Sequence, residues 1–205
     1  MDFIKLFEEY GDTSHLLIVD VQRSFKKFFT DAYLKELKKY ASTFENVYQI
    51  WDNHVQGPNV DKDYLYDSKP DIPDIEEIYD FPNEKLRIEK RYNYDVDADF
   101  YKNILDKDTY RRIKDLEHTN RIKRGDMFQT KEGTVIVYIG NNHVWYHIPK
   151  KLHNLFKKLK GQKITIVGGS MGECLLDVET AARSMGVEFV TDKRYVYSAT
   201  HCPIK

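Results

Sequence analysis

KITIVGGSMGECLLDVETAARSMGVEFVTD, residues 163–192, is the stretch that decides the fold. KITIVGG (163–169) is a short apolar run that predicts a strand, residues 173–185 predict a helix stopped by Gly186, and VEFVTD (187–192) predicts another strand. Strand, helix and strand in so short a span make a βαβ unit, in which the two strands run parallel.

Upstream the same alternation recurs. HLLIVD (15–20) is an apolar run ending in Asp, the pattern of a buried parallel strand. A helix is expected over 31–44, where Leu34, Leu37 and Tyr40 recur at helical spacing, and NVYQIWD (46–52) and KLRIEK (85–90) predict the next two strands. Residues 100–118 and 150–160 predict helices, the second with Leu152, Leu155, Phe156 and Leu159 as its buried face. The expected fold class is therefore α/β, with a doubly wound, mostly parallel sheet in a three-layer α/β/α arrangement.

Two segments stand outside that alternation. Residues 57–82, rich in Asp, Pro and Tyr, predict a long structured loop of the kind that often carries function. Residues 126–148 predict a β-hairpin, because TVIVYI and HVWYHI flank the turn residues Gly140, Asn141 and Asn142. Its connection is too short for a parallel crossover, so it should lie outside the main sheet. Val135, Val137, Tyr146 and Ile148 would then need cover, from another subunit or by packing over the mouth of a site. A homo-oligomer is the expectation that follows.

Composition narrows the function classes. At 205 residues with 41% hydrophobic and 32% charged side chains, the chain suits one soluble domain over 1–205. No apolar run approaches the ~20 residues that span a membrane. The first residues, MDFIKLFEEYGD, carry acids where a secretory signal would be apolar. Two cysteines, Cys174 and Cys202, do not make a disulfide scaffold, so a reducing cytoplasm is the expected location. Net charge is −1, which argues against a nucleic-acid partner. The six lysines of 150–163 read as a solvated helix face, because Phe156 is the lone aromatic among them.

In open α/β sheets, ligands bind at the carboxyl ends of the strands. Asp20, Lys90 and Cys174 all fall at such ends. Each has an ordinary explanation on its own: a small core thiol, a helix cap, a solvent-exposed lysine. Three at one edge of one sheet make a plausible nucleophile, base and stabiliser. Cys174 should also lie in the first turn of the following helix, where the dipole and free N–H groups favour a thiolate.

LLIVDVQRSF (16–25) resembles the opening motif of the isochorismatase-like cysteine hydrolases, an apolar strand running into Asp-x-Gln-x-x-Phe. VGGSMGECLLDVETAARSMG (167–186) is similar to the family's nucleophile segment, with glycines six residues before and twelve after the Cys. The resemblance covers roughly 14–105 and 150–200 and leaves 106–149 as an insertion. It implies a triad of Asp20, Lys90 and Cys174, with Arg91 the neighbouring alternative to Lys90. Members that use the Cys cleave amides, so the resemblance implies an amidohydrolase acting on a small-molecule carboxamide, with nicotinamide the first to try. Asp20 would take the thiol proton, Lys90 would hold the pair, and backbone N–H groups near Ser170 and Cys174 would receive the oxyanion.

WDNH (51–54) resembles the Asp-x-His of nicotinamidases, which implies Asp52 and His54 as ligands of Zn²⁺ or a similar divalent ion. Asp71 or Asp74 would complete that set, since no further His follows before 118. Phe25 and Trp51 are candidates for stacking on a flat substrate and equally for core packing. Met171 and Gly172 depart from the family's small polar residues before the Cys. With the insertion, they keep a second function open: a catalytically silent relative that uses the scaffold for binding.

Overall fold

The computed structural model describes residues 14–52, 78–90, 102–140 and 145–205. In chain order the elements are β1 (His15–Val19), a 3-10 turn (Arg23–Phe28), α1 (Asp31–Ala41), β2 (Asn46–Asp52), β3 (Glu84–Lys90), α2 (Lys107–His118), β4 (Met127–Gln129), β5 (Val135–Tyr138) and β6 (Trp145–Ile148). They continue through α3 (Lys150–Leu159), β7 (Lys163–Gly168), α4 (Cys174–Ser184) and β8 (Glu188–Val196). The long loop expected at 57–82 lies mostly outside the described residues.

Helix boundaries follow local chemistry. The helix expected over 100–118 is interrupted: 102–104 are helical, and a second helix starts at Lys107, where the Asp106 carboxylate accepts from the N–H groups of Asp108 and Thr109 at 3.0 and 2.8 Å. The one expected to reach residue 44 stops at Ala41. There the Ser42 and Thr43 hydroxyls donate back to the carbonyls of Lys39 and Tyr40.

The main sheet has the order β3-β2-β1-β7-β8 and every neighbouring pair is parallel. The chain winds outward from β1 to β3, then returns to the other side of β1 for β7 and β8. The reversal falls between β1 and β7, the place where a doubly wound sheet opens a crevice for ligands. Those two strands pack closely: a Cβ on Gly168, whose φ is +104°, would collide with the backbone of Val19.

Strand alternation sends apolar side chains to both faces. Leu16, Ile18, Val47 and Val167 meet Tyr33, Leu37 and Ala41 of α1 on one side. Leu17, Val19, Ile50, Ile88 and Ile166 meet α3 and α4 on the other. The result is the three-layer α/β/α arrangement. Among the described residues, no helix is long and apolar enough to cross a membrane.

The segment read as a hairpin is a three-stranded antiparallel sheet, β4-β5-β6. The β5–β6 pairing is the expected one, Val135 opposite Ile148 and Val137 opposite Tyr146. The added strand arises because Thr130 and Thr134 close a tight turn through Gly133 at φ +76°, folding Met127–Gln129 onto Val135–Val137. Its two faces are covered from within the chain. Val137, Tyr146 and Ile148 join the core with α3 and α4, whereas Ile136 and Trp145 pack with Phe128 and Ile113 of α2.

Candidate active site

Asp20 directly follows β1, in the left-handed region at φ 53°, a conformation that Asp tolerates better than most residues. Its N–H donates to Ile50 O at 2.8 Å and its carbonyl accepts from the Tyr197 hydroxyl at 2.6 Å. The carboxylate therefore leaves the end of β1 in one direction. Lys90 ends β3, two strands away, and its Nζ reaches across the end of β2 to Asp20 Oδ2 at 2.5 Å. Both side chains are 1% exposed, so the ion pair is sealed from water.

Cys174 is the first residue of α4 and is 4% exposed. Its thiol lies near enough to the Asp20 carboxylate for each group's charge to act on the other. The turn that delivers it, with a cis peptide between Gly169 and Ser170, is tied down by Tyr197. The Tyr197 N–H donates to Gly168 O at 3.0 Å and its carbonyl accepts from Met171 N–H at 2.9 Å. Tyr197 thus ties Asp20 to the turn that delivers Cys174 through one buried residue.

Asp52 closes β2 between them and is 1% exposed. The Gln22 amide clamps its backbone from both sides, donating to Asp52 O and accepting from Asp52 N–H, each at 2.8 Å. Asp52, Asp20 and Asp177 of α4 all act on the Cys174 thiol, against Lys90.

Burial is the largest influence on every group here. It raises Asp20 above the usual carboxylate range, opposed by Lys90 and assisted by Asp52. It pulls the Lys90 ammonium down, but Asp20, Cys174, Asp52 and Tyr146 together outweigh it and the net shift is well upward. It pushes the Cys174 thiol well up, with Lys90 only partly compensating. Burial thus works against the thiolate that the helix N-terminus was expected to favour.

One consequence is measurable on the folded chain. Lys90, Cys174, Tyr33 and Tyr146 all keep protons in the folded state that the unfolded chain gives up, at about pH 8.5 for Cys and about 10 for Tyr and Lys. Stability should be retained below that range and fall as pH rises through it. The urea midpoint is expected to drop steeply above about pH 9, with a later onset in Cys174→Ala. A midpoint flat to pH 11 would contradict these shifts.

The remaining candidates separate. Trp51 is 8% exposed within β2, on the opposite phase of the strand from Asp52. Phe25 packs into the core on the α1 side with Phe29 and Tyr33, not into the cluster that holds Cys174. Ser170 opens the turn before Cys174, and its carbonyl accepts from the N–H groups of Glu173 and Leu175. Those two N–H groups are committed within the turn, and that of Met171 is spent on Tyr197 O. The Cys174 N–H, at the first helical position, has no intrahelical acceptor. Among the described residues, no three His, Cys, Asp or Glu side chains converge as a metal-binding group. His54, Asp71, Asp74 and Arg91 lie outside those residues.

Tyr197 and Tyr146 carry no sequence signal for this site. Tyr197 sits one residue past the last strand, and Tyr146 arrives on the insertion. Tyr197 is also sensitive to crowding, since a Cβ on Gly169 would come within 2.5 Å of its ring. Gly169→Ala is expected to cost about 1–3 kcal/mol of stability through overpacking, read from urea unfolding. An unchanged midpoint would show that Tyr197 is free to move.

No family model matches the chain, and neither the curated proteins nor the solved structures contain a match to it.

Proposed function

We propose that the chain is a cysteine hydrolase of the isochorismatase-like type that cleaves the C–N bond of a small carboxamide. The observation that carries this reading is the burial together of Asp20, Lys90 and Cys174, drawn from three strand ends at the point where the sheet reverses. A buried thiol beside a carboxylate and an ammonium has one straightforward chemical use, activation of the sulfur toward an electrophile.

In that reaction Asp20, its basicity raised by burial, takes the Cys174 proton as the sulfur attacks the amide carbonyl. Lys90 stays charged and stabilises the anion that forms. Collapse breaks the C–N bond and releases ammonia, protonated by Asp20, leaving a thioester on Cys174. Water then attacks, Asp20 takes its proton, and the acid and free thiol are regenerated. No step is routed through a metal ion.

A second reading, a silent relative that binds through the same scaffold, draws support from the depth of the thiol and its high pKa. An ammonia-release screen over carboxamides, nicotinamide first, separates the two. The hydrolase reading expects release that disappears in Cys174→Ala. Release that persists in that variant, or none with any carboxamide, would remove it.

A further inference from the structure

We infer that Tyr146, carried into the site by the inserted sheet, donates a hydrogen bond to the carbonyl oxygen of the bound substrate. This rests on the hydrolase reading for the identity of that oxygen. The placement of the tyrosine is independent of it.

Along β6, Trp145 and His147 face away from the main sheet, whereas Tyr146 and Ile148 face inward. The Tyr146 ring packs in the same apolar cluster as Cys174, Leu175 and Val178, and the strand lies against α4. Its hydroxyl is fully buried and has no hydrogen-bond partner among the described residues. Folded proteins rarely leave such a group unmatched, because its lost hydration is returned by nothing. Phenylalanine would fill the space at less cost, so the hydroxyl points to an acceptor beyond the described residues, and a bound substrate would supply one.

The groups that act on that hydroxyl are the ones at the reaction centre: Lys90 of β3, Asp177 and Cys174 of α4, and Asp20 after β1. Burial, reinforced by the carboxylates and opposed by Lys90, holds the phenol protonated far above neutral pH. It is therefore a donor under working conditions and not a base. Beside the uncommitted Cys174 N–H the centre offers room for a second donor, since the Met171 N–H is spent on Tyr197 O and those of Glu173 and Leu175 on Ser170 O. The carbonyl oxygen that Cys174 turns into an oxyanion is the acceptor that matches it.

Tyr146→Phe tests this with two readouts. Hydrolysis of nicotinamide, or of whichever carboxamide the wild-type chain turns over, should fall by about 10²–10³-fold in kcat/KM, as for removal of one oxyanion donor. The urea midpoint should hold or rise, since no hydrogen bond within the fold is lost. The second readout needs no turnover. Pyridine-3-carbaldehyde, the aldehyde counterpart of nicotinamide, can accept the Cys174 sulfur at its carbonyl carbon while the thiol proton passes to the carbonyl oxygen. The resulting thiohemiacetal places an oxygen where the oxyanion would form. Its affinity should fall at least tenfold in Tyr146→Phe and vanish in Cys174→Ala. Unchanged kcat/KM or aldehyde affinity overturns the inference, as does a drop in the urea midpoint, which would mean the hydroxyl is already bonded inside the fold. A wild-type chain that captures the aldehyde but hydrolyses no carboxamide overturns hydrolysis alone, and Tyr146 is then read from the affinity ratio. Capture of no aldehyde overturns both.

Discussion

Cys174→Ala is expected to abolish turnover while leaving the fold in place. On the proposed reading the sulfur forms and breaks the covalent intermediate, and among the described residues no other thiol lies against Asp20. Loss of a covalent nucleophile costs roughly 10⁴–10⁶-fold in kcat, because the groups of such a unit act together. The structural cost is small by comparison. The side chain shrinks by one sulfur in a cluster containing Leu175 and Val178, and a change within about 1 kcal/mol is expected. Circular dichroism and urea unfolding would confirm an intact fold, and the ammonia assay would read the loss. A variant that keeps even a hundredth of the wild-type rate would move the chemistry away from Cys174.

Lys90→Met is expected to be the most destabilising change in the centre. The ammonium is 1% exposed and bonds an equally buried Asp20 carboxylate, with Asp52 close enough to raise Asp20 further. Removing one partner of a buried pair leaves a charge with neither water nor counterion, at about 3–5 kcal/mol. The loss should be partly recovered in the double variant with Asp20→Asn, which removes the stranded charge. It should also shrink as pH falls, because the stranded Asp20 then binds a proton more readily in the folded than in the unfolded state. Urea unfolding of the four chains at pH 5 and pH 7 checks both. A loss below 1 kcal/mol for Lys90→Met would mean that water reaches the pair.

The parallel sheet was open to reading because buried parallel strands write themselves as continuous apolar runs. HLLIV, NVYQIWD and KITIVG differ from any amphipathic helix by period alone. Asp20 and Lys90 were legible because each stands at the end of a strand, and Cys174 because it follows one by a short turn, so that all three fall at one edge of the sheet. That Asp20 meets Cys174 needed β1 beside β7, which the structure has, with Leu16 opposite Thr165 and Val19 opposite Gly168.

What escaped is what only three-dimensional packing creates. Tyr197 has no strand or motif to mark it, and its hydroxyl reaches Asp20 across 177 positions. Tyr146 lay on the strand phase that needed cover, but nothing in the alternation says that its hydroxyl would be left without a partner beside Lys90. The third strand of the insertion was missed because MFQ is too short to carry a period. The pull of burial on the thiol was not legible either, because a helix N-terminus is visible in sequence and the degree of burial around it is not.

The most direct test of a thioester on Cys174 is to trap it. During turnover of the carboxamide that releases ammonia fastest, rapid acid quenching followed by peptide mass mapping should find the acyl group on the peptide that contains Cys174. That adduct should be absent from Cys202 and from the Cys174→Ala chain. Ammonia release with Cys174 unacylated at every time point, or an acyl group found on Cys202 in its place, would contradict it.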